Sequence, residues 1–190
     1  TRVRSSAASD VYKRQQLAAT AAQGPALKEP IDLEQSAAPV VANIAKTTTN
    51  PVNKAVAERL KMLLGNTRIY IEENLTDDKG QAVYGQAAAD GSFIVLDKQF
   101  GMNEQTVLHE GVHAATERVL SMPEEDLTPD QLAAKRELQA LFEAAKKDGR
   151  FTNVNAMTNL SEFVSEALSD NVFQQELAQR PWTLQNMWDG

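Results

Sequence analysis

Two histidines four residues apart, with a glutamate directly after the first, are the side chains of this sequence best suited to chemistry. They lie in His109-Glu110-Gly111-Val112-His113, and the 190 residues contain no other histidine. A helix turns about 100° per residue, so positions 109 and 113 share one face, one turn apart. Two imidazoles so placed can hold one zinc ion at about 2.0–2.1 Å each. Glu110 points about 100° away around the helix, which sets its carboxylate beside such an ion rather than on it. From there it can take a proton from an activated water and return it to a leaving group. The competing reading is a pair of ordinary histidines on an amphipathic helix. The use of histidine nowhere else favours the site, as do the apolar flanks Val107, Leu108, Val112 and Ala115.

An open zinc site needs a third protein ligand. There is no cysteine and no further histidine, so an aspartate or glutamate is expected. The candidates stand in Asn159-Leu-Ser-Glu162-Phe-Val-Ser-Glu166-Ala-Leu-Ser-Asp170. Glu162 also fits a capping-box glutamate three residues after Asn159. Glu166 and Asp170 also fit a solvated acidic face.

Together, these two segments resemble the zincins whose third ligand is a glutamate on a later helix. In that family the glutamate precedes, by four residues, an acidic residue that orients a zinc-bound histidine, with a small residue at the third step. Two registers match. Glu162-Phe-Val-Ser-Glu166 makes Glu162 the ligand and Glu166 its partner; Glu166-Ala-Leu-Ser-Asp170 shifts both by one turn. The apolar residues Leu160, Phe163, Val164, Ala167 and Leu168 favour the first.

The stretches Thr106–Thr116 and Ser161–Gln174 are also similar to metallopeptidase-like modules of phage and prophage polyproteins. The resemblance spans about Ile69 to Leu177. It implies a zincin fold, Zn2+ as cofactor, a peptide or protein substrate, and further domains on a longer parent chain, in a cytoplasmic or virion setting. The sequence therefore supports two functions: a zinc peptidase, or a zincin-fold structural module with weak or no catalysis. A purely structural module has no need of Glu110.

The elements that must position these residues are legible in part. Pro51–Leu64 carries apolar residues near helical spacing and stops at Gly65-Asn66. Arg68–Ile71 reads as a strand. Asp77–Gly80 reads as a turn. Ala82–Gly85 and Ser92–Leu96 read as paired strands joined around Asp90-Gly91. In zincins an edge strand beside the active helix pairs with an extended peptide; Ser92–Asp97 could serve as that edge, or could equally be a core strand. From Asn103 the pattern is helical to about Leu120. Thr128-Pro129-Asp130-Gln131 opens a second helix that ends at Asp148-Gly149. A third helical region runs from Asn159 to Gln179, with a break near Asp170-Asn171. Gly111 is unusual inside the active helix, where a small residue would admit a strand or substrate. Tyr70, Tyr84 and Arg118 are conceivable oxyanion donors that nothing ranks.

The expected class is thus α+β and zincin-like, with a small antiparallel or mixed sheet packed on the histidine helix and on a later glutamate-bearing helix. Ser5–Gln15 (SSAASDVYKRQ) resembles a translated transposase sequencing adapter, so residues 1–15 are set apart from the fold. Residues 16–55, rich in Ala, Gln, Thr and Pro, read as a flexible lead-in, and 56–190 as the domain. The net charge of −7 argues against a nucleic-acid surface. No apolar run approaches the roughly 18 residues of a membrane span. The C-terminal stretch with Trp182 and Trp188 is expected to pack on its own domain.

Overall fold

The structure, a computed structural model, describes residues 25–27, 31 and 34–180. The chain is mixed α+β, with six helices and one four-stranded sheet among the described residues. The strands are β1 (Glu34–Ser36), β2 (Arg68–Glu72), β3 (Gly85–Ala87) and β4 (Phe93–Asp97). The helices are α1 (Ala37–Thr47), α2 (Pro51–Leu63), α3 (Glu104–Ser121), α4 (Pro129–Asp148), α5 (Leu160–Ser169) and α6 (Asn171–Ala178). The expected artefact 1–15 and the C-terminal tryptophans lie outside the described residues.

The sheet order is β1-β2-β4-β3. β1 and β2 are antiparallel, β2 and β4 parallel, and β4 and β3 antiparallel. Alternation places Ile69, Ile94 and Leu96 on the covered face, each fully buried. Tyr70 and Phe93 occupy the other face, edge to face at 6.1 Å. The expected hairpin forms around Asp90-Gly91, with Gly91 at φ 74°. Its first strand starts later than expected, at Gly85, because Ala82 pairs with Thr76 instead.

One open alternative is decided here and one expectation is overturned. Ser92–Asp97 is the core strand of the two readings: β4 is flanked by β2 and β3, and the terminal strands are β1 and β3. Residues 34–55 are not a flexible lead-in. They form β1, α1 and the start of α2, and Val40, Val41, Ile44 and Ala45 of α1 are buried in the main core. The alanine content hid an apolar stripe wide enough to require burial. Earlier described residues belong to the same fold: Ala26 bridges to Asn103, and Ile31 is buried in the core.

Helix α3 lies between the sheet, α2 and α5, which explains why its apolar side is so complete. Val107, Leu108 and Val112 are buried. Asn103 caps it, accepting from Thr106 N at 2.9 Å. Glu104 in the first turn is buried, and its Oε1 accepts from Thr48 Oγ1 at 2.7 Å and Asn53 Nδ2 at 2.8 Å. A carboxylate there also suits the positive end of the helix. Gly111 faces Leu60 Cδ1 and Leu64 Cδ1, at 3.0 and 3.3 Å from where a Cβ would stand. It lets α2 pack closely; neither strand nor substrate approaches at that point. Helix α4 begins with the expected Thr128–Gln131 capping box and ends at Gly149, φ 66°. It carries Phe142 against Phe163 of α5, ring centroids 5.5 Å apart. That contact ties α5 to α4, while α5 also packs along α3, which aims its acidic face at the histidines.

Candidate metal centre

Helix α3 presents His109 and His113 into a cleft of about 930 Å³, which β3, the Asp77-Asp78 turn and α5 also line. The two Nε2 atoms stand 3.1 Å apart. Helix α5 starts at Asn159, whose Oδ1 accepts from Glu162 N at 2.9 Å, so the first turn of α5 is fixed and Glu162 faces the histidines. Glu162 Oε2 is 3.4 Å from His109 Nε2, and Oε1 is 3.4 Å from His113 Nε2. Ligand atoms of these three residues all lie within 4.8 Å of one another.

The 3.1 Å between the nitrogens, and the 3.4 Å from each nitrogen to one oxygen of Glu162, are close to the spacings in a tetrahedral site. Bonds of about 2.0–2.1 Å at tetrahedral angles separate neighbouring ligand atoms by about 3.3 Å. The donor set of two imidazoles and a carboxylate suits zinc among the common ions, and the open cleft leaves a fourth position for water or substrate.

The other nitrogens of the imidazoles are held from outside. His113 Nδ1 is 3.0 Å from Ser161 Oγ. Ser161 in turn donates to Glu117 Oε2. His109 Nδ1 faces Glu166 Oε1 at 3.7 Å. The Ser161 hydroxyl on His113 Nδ1, and the negative Glu166 carboxylate on the Nδ1 side of His109, favour the tautomer that frees Nε2 toward Glu162. Glu117 and Ser161 were not singled out from sequence, although Glu117 stands one turn after His113 and the spacing alone could have flagged it.

The two sequence registers are separated by this geometry. Glu162 reaches both Nε2 atoms, while Glu166 lies on the far nitrogen of His109. Asp170 does not approach either histidine. It caps α6, accepting from Phe173 N at 2.6 Å, and its Oδ2 accepts from Gln105 Nε2 at 2.8 Å. The register with Glu166 as ligand and Asp170 as partner therefore does not form.

Glu110 is buried in the cleft wall against β3. A Cβ at Gly85 would come within 2.6 Å of Glu110 Cγ and 2.9 Å of Oε1, so only glycine leaves room for this carboxylate. Burial pushes the Glu110 carboxyl above its usual range, and the nearby His109 and His113 offset part of that rise. Burial disfavours charge on His109, but the Glu162 carboxylate, with Glu110 and Glu166, reverses the effect and raises it to about 9. Burial acts upward on Glu162 as well, yet its hydrogen bonds to His109 and His113 hold it far below the usual carboxylate range. One cause explains both shifts: the carboxylates of Glu162, Glu110 and Glu166 converge on the imidazoles.

Of the conceivable oxyanion donors, Tyr84 lines the cleft, and Tyr70 packs on the outer sheet face with Phe93. Arg118 is not among the residues lining the cleft. Among the described residues no helix is long and apolar enough to cross a membrane. No family model, curated protein or solved structure matches this chain.

Proposed function

We propose that the chain is a zinc-dependent peptidase, with His109, His113 and Glu162 holding the metal and Glu110 acting as general base. The observation that carries this reading is the convergence of His109 Nε2 and His113 Nε2, 3.1 Å apart, on the Glu162 carboxylate, whose Oε2 lies 3.4 Å from the first and whose Oε1 lies 3.4 Å from the second. Glu110 stands buried beside it without joining it.

Zinc, when bound, lowers the pKa of a water toward neutrality and polarises a carbonyl group. The chain's own residues supply the rest. Glu166 and Ser161, the latter backed by Glu117, orient the imidazoles. Glu110 takes the proton from the attacking water and delivers it to the leaving amine nitrogen. Its burial beside the metal ligands keeps the carboxylate in place between the two transfers. β3 is the terminal strand and lines the cleft, so an extended peptide can align along it, next to Glu110. A metal site that served only structure would have no use for a buried carboxylate in this place. The likeness to phage polyprotein modules fits one domain of a longer protein that acts on peptide or protein substrates.

The test is hydrolysis of an unstructured polypeptide by the zinc-loaded chain, followed by mass spectrometry of the new termini. Cleavage is expected to stop on chelation and to return with zinc. Gly85→Ala should keep its zinc but lose cleavage by at least about tenfold, since the added methyl turns the Glu110 carboxylate away. Wild-type zinc-loaded chain that cleaves no peptide bond in any unfolded substrate would contradict the peptidase reading.

A further inference from the structure

The turn before α5 carries two asparagines, Asn153 and Asn155, that neither the resemblance nor the proposed chemistry uses. Asn155 Nδ2 lies 2.7 Å from Glu162 Oε2 and 2.8 Å from Glu166 Oε1. One amide nitrogen thus donates both of its hydrogens, one to each carboxylate. Asn153 Nδ2 donates to Glu166 Oε2 at 3.1 Å, and its Oδ1 accepts from Ala156 N at 3.0 Å, which fixes the short helical turn Asn155–Met157.

The arrangement answers a physical difficulty. Glu162 and Glu166 are one turn apart on α5 and face the same cleft. Like charges at that spacing repel. A metal site nonetheless needs the first as a ligand and the second as an acceptor for His109. An amide that donates to both joins them without adding charge, and an asparagine is the smallest side chain with two donors on one atom. Asn155 itself is exposed, so it does little for the core.

Resting on the zinc reading above, we infer that Asn155 is a positioning residue that sets how Glu162 binds the metal. It engages Oε2, the oxygen on the His109 side at 3.4 Å from Nε2, and so favours Oε1, the oxygen 3.4 Å from His113 Nε2, as the metal donor. Glu162 then binds through one oxygen and the fourth position stays open. By holding Glu166 as well, Asn155 keeps the acceptor of His109 Nδ1 in place.

The experiment compares wild type, Asn155→Ala and Asn155→Gln for zinc affinity by competition with a chromophoric chelator. The visible spectrum of the Co2+-substituted protein and the thermal midpoint of the metal-free protein are measured alongside. Asn155→Ala should weaken zinc binding by about 10- to 100-fold, as loss of a ligand's hydrogen-bond partner does elsewhere. Its Co2+ bands should weaken, because Glu162 is released to bind through both oxygens and coordination rises above four. The metal-free midpoint should stay that of wild type, and Asn155→Gln should recover part of the affinity. Wild-type affinity and an unchanged Co2+ spectrum in Asn155→Ala would overturn the inference and leave the metal centre standing. Failure of wild type to bind zinc or Co2+ would remove the metal reading and this inference together.

Discussion

Replacing Glu110 by glutamine leaves zinc bound and lowers peptide hydrolysis by about 10²- to 10⁴-fold, the contribution typical of a positioned general base. The substitution is nearly isosteric, so the contact with Gly85 survives. Glutamine cannot accept a proton, so the step that needs one is the step that fails. The site's shape supports separating the two properties, because Glu110 is on α3 yet stands off the His109–His113–Glu162 triangle. kcat/KM on a cleaved peptide and the zinc content of the same preparation check it. Activity within tenfold of wild type would move the base to another residue. Loss of the metal would make Glu110 a ligand instead.

The second large effect is an inversion of pH dependence by the metal. In the metal-free chain His109 is raised from 6.5 to about 9. A base whose folded value is raised stabilises the fold fully below its unfolded value. That stabilisation disappears as pH climbs through the folded value. The metal-free protein should therefore lose roughly 3 kcal/mol between pH 6.5 and 9, a fall of about 10 °C in Tm for a domain of this size. Glu110, also raised, slopes the same way over a lower range. Glu162, held low, stabilises the fold throughout this window, and that stabilisation is lost only as the pH falls below the usual carboxylate range. Zinc competes with the proton on His109, so its apparent affinity should rise by about tenfold per pH unit up to 9. Thermal scans with and without zinc should diverge as pH increases. Parallel curves would place the raised imidazole outside the metal site.

How much of this was readable in the sequence follows from the range over which each feature acts. His109, Glu110 and His113 are governed by one helix, and helical periodicity fixed their relation. Asn103, Thr128 and Gly149 are local cap signals and formed as expected. Glu162 and Glu166 were found by pattern, but choosing between registers required α5 to be docked on α3. That docking depends on Phe142, Phe163 and Val164 meeting across elements. Asn155 belongs to a turn whose position only the tertiary fold determines, and no spacing rule pointed to it. Whether Ser92–Asp97 was edge or core stayed open for the same reason: the parallel pairing of β2 with β4, which places β4 inside the sheet, is a long-range feature. Helix α1 was a different failure. Ala37, Val40, Val41, Ile44 and Ala45 already form an apolar stripe, but composition was weighed above periodicity.

The claim on which everything rests is that His109, His113 and Glu162 hold one zinc ion. Titration of zinc into the metal-free protein at neutral pH, with wild type and Glu162→Ala compared by calorimetry and elemental analysis, tests it most directly. One ion per wild-type chain is predicted, with affinity falling by more than about a hundredfold in the variant, a larger loss than removal of an outer hydrogen-bond partner causes. No stoichiometric zinc in wild type, or equal affinity in Glu162→Ala, would contradict it.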